Sequence, residues 1–213
     1  VLGLFPLRDP RVEETFEAST RNDNYLVRDA DGRRYVLRRY RRNADRDRVA
    51  FQLRFQRRLR DAGYPVQSIV DSTHDGPVAF SLDESWGLFG YVEGEHYDFD
   101  RPQQAEEAGR RLAEFHLLTE PFDEPDDPYE LKWEARSHWT EGDADLTRLQ
   151  QRFDEQAVSD EFEYLRAWLD DLRDALPLPE LDALPGGWLH DDYHGRNTIF
   201  AGDTIAALLD FNR

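Results

Sequence analysis

The sequence predicts an α+β protein with two lobes. The first would be an antiparallel five-stranded sheet carrying one helix, and the second would be mainly helical with one late β-hairpin. Two observations indicate this division. Apolar residues alternate in short runs over the first hundred residues, whereas beyond Gly94 they recur every three or four residues. We therefore expect lobes at residues 1–93 and 94–213.

Composition and charge exclude several classes of protein. Apolar residues make up 39% of the 213 positions, which is enough for a sizeable core. No apolar run reaches the roughly 20 residues that a membrane span needs, so we expect no membrane partner and a cytoplasmic location. The chain has no cysteine, which excludes disulfides, thiolate metal sites and a cysteine nucleophile.

The charge is strongly acidic and unevenly distributed. A net charge of −18, from 45 acids and 27 bases, argues against nucleic acid as a partner. Lys132 is the single lysine, and this composition resembles that of haloarchaeal cytoplasmic proteins with solvated acidic surfaces. An alternative is that the acidic surface attracts a cationic substrate. Residues 1–60 hold 16 arginines and 9 acids, so we expect two lobes of opposite charge.

The N-terminal elements follow from turn and periodicity signals. Two β-rich runs flank the turn Asp31-Gly32, which predicts a hairpin. Apolar residues at helical spacing predict a helix from about Asp45 to Ala62, ended by Gly63. The remaining strands are predicted in the runs EETFEAS, VAFSL and WGLFGYV.

The C-terminal elements are helices followed by a hairpin. Apolar spacing predicts a helix over Gln103–Thr119, with His116 as a core histidine, and another helix that includes Phe162 to Leu176. A polar loop, HDDYHGRN, then leads into the strands TIF and IAALLDF. These strands form a buried hairpin that ends in an acid.

The polar loop allows two kinds of chemistry. His190 and His194 are four residues apart, as in a zinc cage, but Gly195 and the following strand argue against the helix that such spacing requires. If instead Asp192, Asn197 and Asp210 converge, their oxygen atoms suit Mg²⁺, and one carboxylate remains to accept the proton of an attacking hydroxyl. These are the parts that phosphoryl transfer requires.

The spacing of this loop resembles that of a known family. His-Asp-Asp-Tyr-His-Gly-Arg-Asn at residues 190–197 is similar to the His-Gly-Asp-Leu-His-Pro-Gly-Asn loop of the aminoglycoside phosphotransferase and choline kinase superfamily of small-molecule kinases. Leu209-Asp210-Phe211 resembles the Ile-Asp-Phe segment of that family. The chain carries the family's other segments in order, including LFGYVEGE at the hinge and Leu-Ala-Glu-Phe-His in a helix. The resemblance implies a protein-kinase-like fold.

The resemblance also implies an activity and its cofactors. The protein would use ATP and Mg²⁺ to phosphorylate a hydroxyl of a small metabolite. Asn22-Asp23-Asn24-Tyr25 resembles the Asn-Thr-Asn-Tyr of bacterial homoserine kinases, which favours an amino-alcohol or amino-acid acceptor over an antibiotic. Acceptors of the homoserine, choline, ethanolamine or aminoglycoside type are all compatible with the family.

Residue roles follow from matching the family's motif. Asp192 would be the catalytic base, while Asn197 and Asp210 would hold Mg²⁺. His190 would support the loop, and His194 would either line the substrate pocket or pack beneath the loop. Arg196, in place of a glycine, would contact a phosphate or a substrate carboxylate, or lie on the surface. The expected nucleotide contacts are Asn22, Arg38, Gln52, Gly90 and Val92.

Three departures from the family pattern support a rival hypothesis. Arg38 replaces the usual phosphate-binding lysine, and Gln52 replaces its glutamate partner. The turn at residues 19–22, which would cover the nucleotide, lacks glycine. The alternative is therefore a pseudokinase that binds a nucleotide or ligand without turnover. Relatives continue with helices beyond the Asp-Phe segment, so we expect a C-terminally truncated sequence.

Overall fold

The structure is a computed structural model, and it divides into two compact units. The first contains residues 1–129 and 187–213, and the second contains residues 130–186. The predicted lobe boundary at residue 93 lies inside the first unit and remains a prediction. The residues that the structure describes are 1–16, 22–41, 46–74, 76–81, 83–122, 135–152, 159–183 and 187–211.

The N-terminal sheet is antiparallel, as the alternating apolar pattern predicts, but six strands are found among the described residues instead of five. The strands are β1 (Arg11–Thr15), β2 (Asn22–Arg28), β3 (Arg34–Tyr40), β4 (Ile69–Val70), β5 (Ala79–Ser81) and β6 (Glu84–Gly90). Their order is β1-β2-β3-β6-β4, with β5 also paired to β6. The prediction missed β4, because a strand of two residues is too short to show an alternating pattern.

A helix and the N-terminal segment cover opposite faces of this sheet. Helix α1 (Arg46–Asp61) packs Val49 and Leu53 against Tyr40 and Phe89 of the sheet. The predicted stop is confirmed, since Gly63 has a φ of 87° and the Tyr64 N–H donates to the Leu59 carbonyl. On the other face, a 3₁₀ turn at Leu2–Leu4 and the buried Phe5 pack on Val27, Leu37 and Leu88.

The predicted C-terminal hairpin forms part of a second sheet in the first unit. Strands β8 (Thr198–Ala201) and β9 (Thr204–Leu208) are antiparallel, and β7 (Glu95–His96) pairs with β8. Helix α2 (Pro102–Thr119) packs beside β9 and buries Phe115. The prediction of a core histidine at position 116 is wrong, because Phe115 and Thr119 occupy the buried face and His116 is exposed.

The described part of the second unit is helical. It contains α3 (Ala135–Gln150), α4 (Ser159–Ala175) and the short α5 (Leu178–Asp182). Helix α4 confirms the helix predicted from apolar spacing around Phe162. Among the described residues, no helix combines the length and apolarity needed to cross a bilayer.

Candidate active site

His190 is the buried support of the polar loop. Its Nε2 donates to the Leu209 carbonyl at 2.9 Å, and its Nδ1 accepts from the Asp192 N–H at 3.3 Å. Burial lowers the pKa of the imidazole, which keeps the ring neutral and lets Nδ1 act as an acceptor. The ring also packs against Phe211, with centroids 4.7 Å apart. His190 therefore joins the loop to the segment that carries Asp210.

Asp192 and Asn197 are joined directly. The Asn197 side-chain amide donates to the Asp192 backbone carbonyl at 2.9 Å and to Asp192 Oδ2 at 3.1 Å. The backbone carbonyl of Asn197 accepts from the Leu209 N–H at 2.8 Å, which brings the residue before Asp210 to the same place. Because Nδ2 is committed to Asp192, Oδ1 is the side-chain atom of Asn197 that can face a cation.

His194 and Arg196 of the loop differ in their contacts. His194 Nδ1 accepts from the Arg196 N–H at 3.1 Å, and its Nε2 lies 3.6 Å from Asp192 Oδ1. His194 is therefore a neighbour of the expected base, and its ring is about half exposed. The Arg196 side chain is exposed.

Asp210 is paired with Arg38 across the first unit. Arg38 Nη1 lies 3.3 Å from Asp210 Oδ1, and only 13% of the Arg38 side chain is exposed. Its guanidinium lies 5.4 Å from the centre of the Phe89 ring. Arg38 Nε donates to Asn24 Oδ1 at 2.9 Å. The sequence places Arg38 and Asp210 172 positions apart, and the fold makes them partners.

The structure places Asn24 beside Arg38, one of the residues predicted for the site. Asn24 and Arg38 lie opposite each other in the β2–β3 pairing, so their side chains share a face of the sheet. The signal that identifies Asn24 is the register of the hairpin around Asp31-Gly32. That register can be predicted only if the loop length is known, because the number of loop residues sets which strand residues face each other. Two hydrogen bonds close the hairpin loop, one from the Asp29 N–H to the Arg33 carbonyl and one from the Gly32 N–H to the Asp29 carbonyl.

Two other predicted nucleotide contacts lie on the elements around Arg38. Asn22 begins β2 and is buried opposite Tyr40, while Gln52 is buried on α1. Both have contacts within the protein. Residues 19–21 of the predicted nucleotide-covering turn lie outside the described residues.

Gly90 ends β6 and Val92 follows it, so these two predicted hinge residues lie on a different segment from the polar loop. The Gly90 N–H donates to the Ser68 carbonyl at 2.9 Å, and a Cβ at Gly90 would come within 2.2 Å of Ser68 Oγ. Any side chain at this position would require the Ser68 hydroxyl to move. Val92 follows β6, and within the described chain its backbone groups form no hydrogen bond. No described hydrogen bond links either residue to Asp192 or Asp210.

The donor set of the loop fits a hard divalent cation. Asn197 Oδ1 and the Asp210 carboxylate are oxygen ligands, which Mg²⁺ and Ca²⁺ prefer, and the Asp192 carboxylate is joined to Asn197. The alternative was a zinc site that includes His190 and His194. Among the described residues, no group of three or more histidine, aspartate or glutamate side chains is placed to hold a metal.

Asp191 has a left-handed backbone, with a φ of 60°, and its side chain is exposed. The left-handed conformation costs alanine about 1 kcal/mol more free energy than glycine. We expect Asp191→Ala to be less stable than Asp191→Gly by about that amount in urea unfolding. Asp203, an exposed turn aspartate without positive φ, is the control. There the order should reverse, and the same order at both positions would contradict the backbone explanation.

Comparison with known proteins gives a family and a fold. The sequence model of the phosphotransferase enzyme family matches residues 13–213. No curated protein sequence matches the chain significantly. Solved structures do match, at identities low enough that the likeness concerns the fold alone.

Three of these structures are small-molecule kinases. The amicoumacin kinase hAmiN, in complex with AMP-PNP, Ca²⁺ and Ami, has a TM-score of 0.68 at 19% identity, over 99% of this chain and 61% of its own. The microcompartment-associated aminopropanol kinase has a TM-score of 0.66 at 18% identity, over 99% and 67%. An aminoglycoside phosphotransferase from Alicyclobacillus acidocaldarius subsp. acidocaldarius DSM 446 has a TM-score of 0.59 at 19% identity, over 100% and 64%.

These matches confirm the predicted kinase-like α+β fold. The chain spans between 61% and 67% of the length of the three structures. The amicoumacin kinase structure holds a nucleotide analogue and a divalent cation together.

Proposed function

The chain belongs to the phosphotransferase enzyme family, and on this premise we propose that it transfers the γ-phosphoryl group of ATP to a hydroxyl group of a small molecule. One observation carries the proposal. A continuous set of contacts joins Asp192 to Asn197, Asn197 to the segment of Asp210, and Asp210 to Arg38. This set contains the base, the cation ligands and the phosphate-binding group that phosphoryl transfer needs.

Arg38 and the hinge would bind the nucleotide. A guanidinium offers two parallel N–H groups to a phosphate, so an arginine can replace the usual lysine as a bidentate ligand. The unpaired backbone groups of Val92 suit the hydrogen-bonding edge of adenine. Gly90 would contribute by holding Val92 in place, since its N–H is bound to the Ser68 carbonyl and the Ser68 hydroxyl lies beside its Cα.

Asn197 and Asp210 would hold a divalent cation, with Mg²⁺ as the expected metal. When bound, such a cation neutralises phosphate charge and orients the phosphate oxygens. In the absence of ligands, Arg38 balances the charge of Asp210. We infer that this ion pair keeps the carboxylate and the arginine at the site before the nucleotide enters.

Asp192 would act as the general base. It accepts the proton of the acceptor hydroxyl as that oxygen bonds to the γ-phosphorus, and the bond from the γ-phosphorus to the β–γ bridging oxygen breaks to release ADP. The Asn197 amide fixes Oδ2 of the carboxylate, which orients the base. His190 holds the loop through Leu209, and His194 lies beside Asp192 Oδ1.

The proposed acceptor is an amino alcohol or a hydroxyl-bearing amino acid, such as homoserine, choline or ethanolamine, with aminoglycosides as the second class. Support comes from the sequence Asn22-Asp23-Asn24-Tyr25 and from the aminopropanol kinase among the structural neighbours. A net charge of −18 also favours acceptors that carry a positive charge.

The test is ADP release by the full-length protein across a panel of these acceptors, with ATP and with or without Mg²⁺. We expect acceptor-dependent ADP release that requires the cation. Tight nucleotide binding without ADP release for any hydroxyl acceptor would overturn the proposal in favour of a nucleotide binder.

A further inference from the structure

The guanidinium of Arg38 is held at two ends by different parts of the first unit. Asn24 accepts from Nε at 2.9 Å, while Asp210 faces Nη1 at 3.3 Å. The Phe89 ring lies 5.4 Å from the guanidinium carbon, on the neighbouring strand β6. Arginine has many rotamers, and contacts at both ends of the guanidinium restrict them.

We propose that Asn24 is a positioning residue, which orients Arg38 for the phosphates of the nucleotide. This inference rests on the proposed function. Asn24 lies directly opposite Arg38 in the β2–β3 ladder, so the hydrogen bond spans a rigid backbone pairing. Pre-organising the arginine reduces the entropy lost when a phosphate binds.

The neutrality of Asn24 is part of the argument. An amide oxygen fixes Nε without cancelling the charge of the guanidinium, whereas a carboxylate at this position would add a second anion beside Arg38. Asp210 already supplies one negative charge, and its carboxylate would bind the cation instead of Arg38 once the cation is present. Arg38 could then direct charge-assisted hydrogen bonds to the phosphates.

The adjacent residue on β2 provides a matched control. Asp23 lies opposite Arg39 in the same ladder, and its carboxylate binds Arg39 at 3.5 Å and Arg41 Nε at 2.7 Å. Since side chains alternate along a strand, this pair lies on the other face of the sheet. Asp23→Asn therefore perturbs an equivalent cross-strand contact away from Arg38.

The experiment measures the affinities of AMP-PNP and of adenosine for the full-length protein by calorimetry. Asn24→Ala should weaken AMP-PNP binding roughly tenfold, the value expected for a hydrogen bond to a charged group, and leave adenosine binding unchanged. Asp23→Asn should change neither affinity. In an Arg38→Ala background, Asn24→Ala should have no further effect on AMP-PNP.

Three results would overturn this inference. They are an unchanged AMP-PNP affinity in Asn24→Ala, an equal loss of AMP-PNP and adenosine affinity, and an undiminished effect of Asn24→Ala in the Arg38→Ala background. Failure of the proposed function looks different. In that case the unaltered protein itself would not bind AMP-PNP, or would bind it and release no ADP with any acceptor.

Discussion

Replacing Asp192 with asparagine is expected to reduce the rate of phosphoryl transfer by at least about 10²-fold, the lower range of general-base contributions. The substitution keeps the size of the side chain and an oxygen that can accept from the Asn197 amide. It removes the carboxylate that we propose as the acceptor of the hydroxyl proton. The affinity for AMP-PNP should therefore stay within about twofold, while kcat falls.

The neighbouring carboxylate is the control for this experiment. Asp191 is exposed, and asparagine tolerates its left-handed backbone. Asp191→Asn should therefore retain the transfer rate. Full turnover in Asp192→Asn, or an equal loss in Asp191→Asn, would show that the base has been assigned to the wrong residue.

Local patterns in the sequence identify most of the fold, and the exceptions share a physical reason. The hairpin around Asp31-Gly32 and helix α1 each carry a periodic pattern and a stop or turn residue, and both form. Strand β4 at Ile69–Val70 has no such pattern. It exists because the edge of β6 away from β3 is open at Leu88 and Phe89, and Val70 and Ile69 pair there. Pairing of this kind depends on tertiary context.

The residues of the candidate site also divide into those that local sequence patterns identify and one that depends on tertiary context. Asp192 and Asn197 lie five positions apart on one loop, so their spacing indicates a shared task. Asp210 could be assigned to the same site because the predicted hairpin after Asn197 brings the chain back towards the loop. Asn24 could not be identified in this way, because its contact with Arg38 depends on the register of two strands. A one-residue shift of that register would turn Asn24 to the other face.

Replacing Asp210 with asparagine should abolish the dependence of nucleotide binding on a divalent cation and lower the transfer rate by at least about 10²-fold. Asp210 has a φ of 65°, and asparagine is among the residues that accept this conformation. The fold is therefore preserved while one anionic ligand is lost. Mg²⁺ should increase the affinity of the unaltered protein for AMP-PNP and have little effect on the variant.

Because Asp210 is paired with Arg38, the expected change in metal-free affinity for AMP-PNP distinguishes this prediction from unfolding, which would lower that affinity. In the unaltered protein without metal, AMP-PNP must compete with Asp210 for Arg38, because the carboxylate lies 3.3 Å from Nη1. Asp210→Asn removes that competitor, so metal-free AMP-PNP affinity should be at least equal to that of the unaltered protein. A misfolded variant would lose affinity under both conditions. Asp203→Asn, an exposed turn residue on the same hairpin, should keep the metal dependence. If Asp210→Asn also keeps it, the cation is held by other residues.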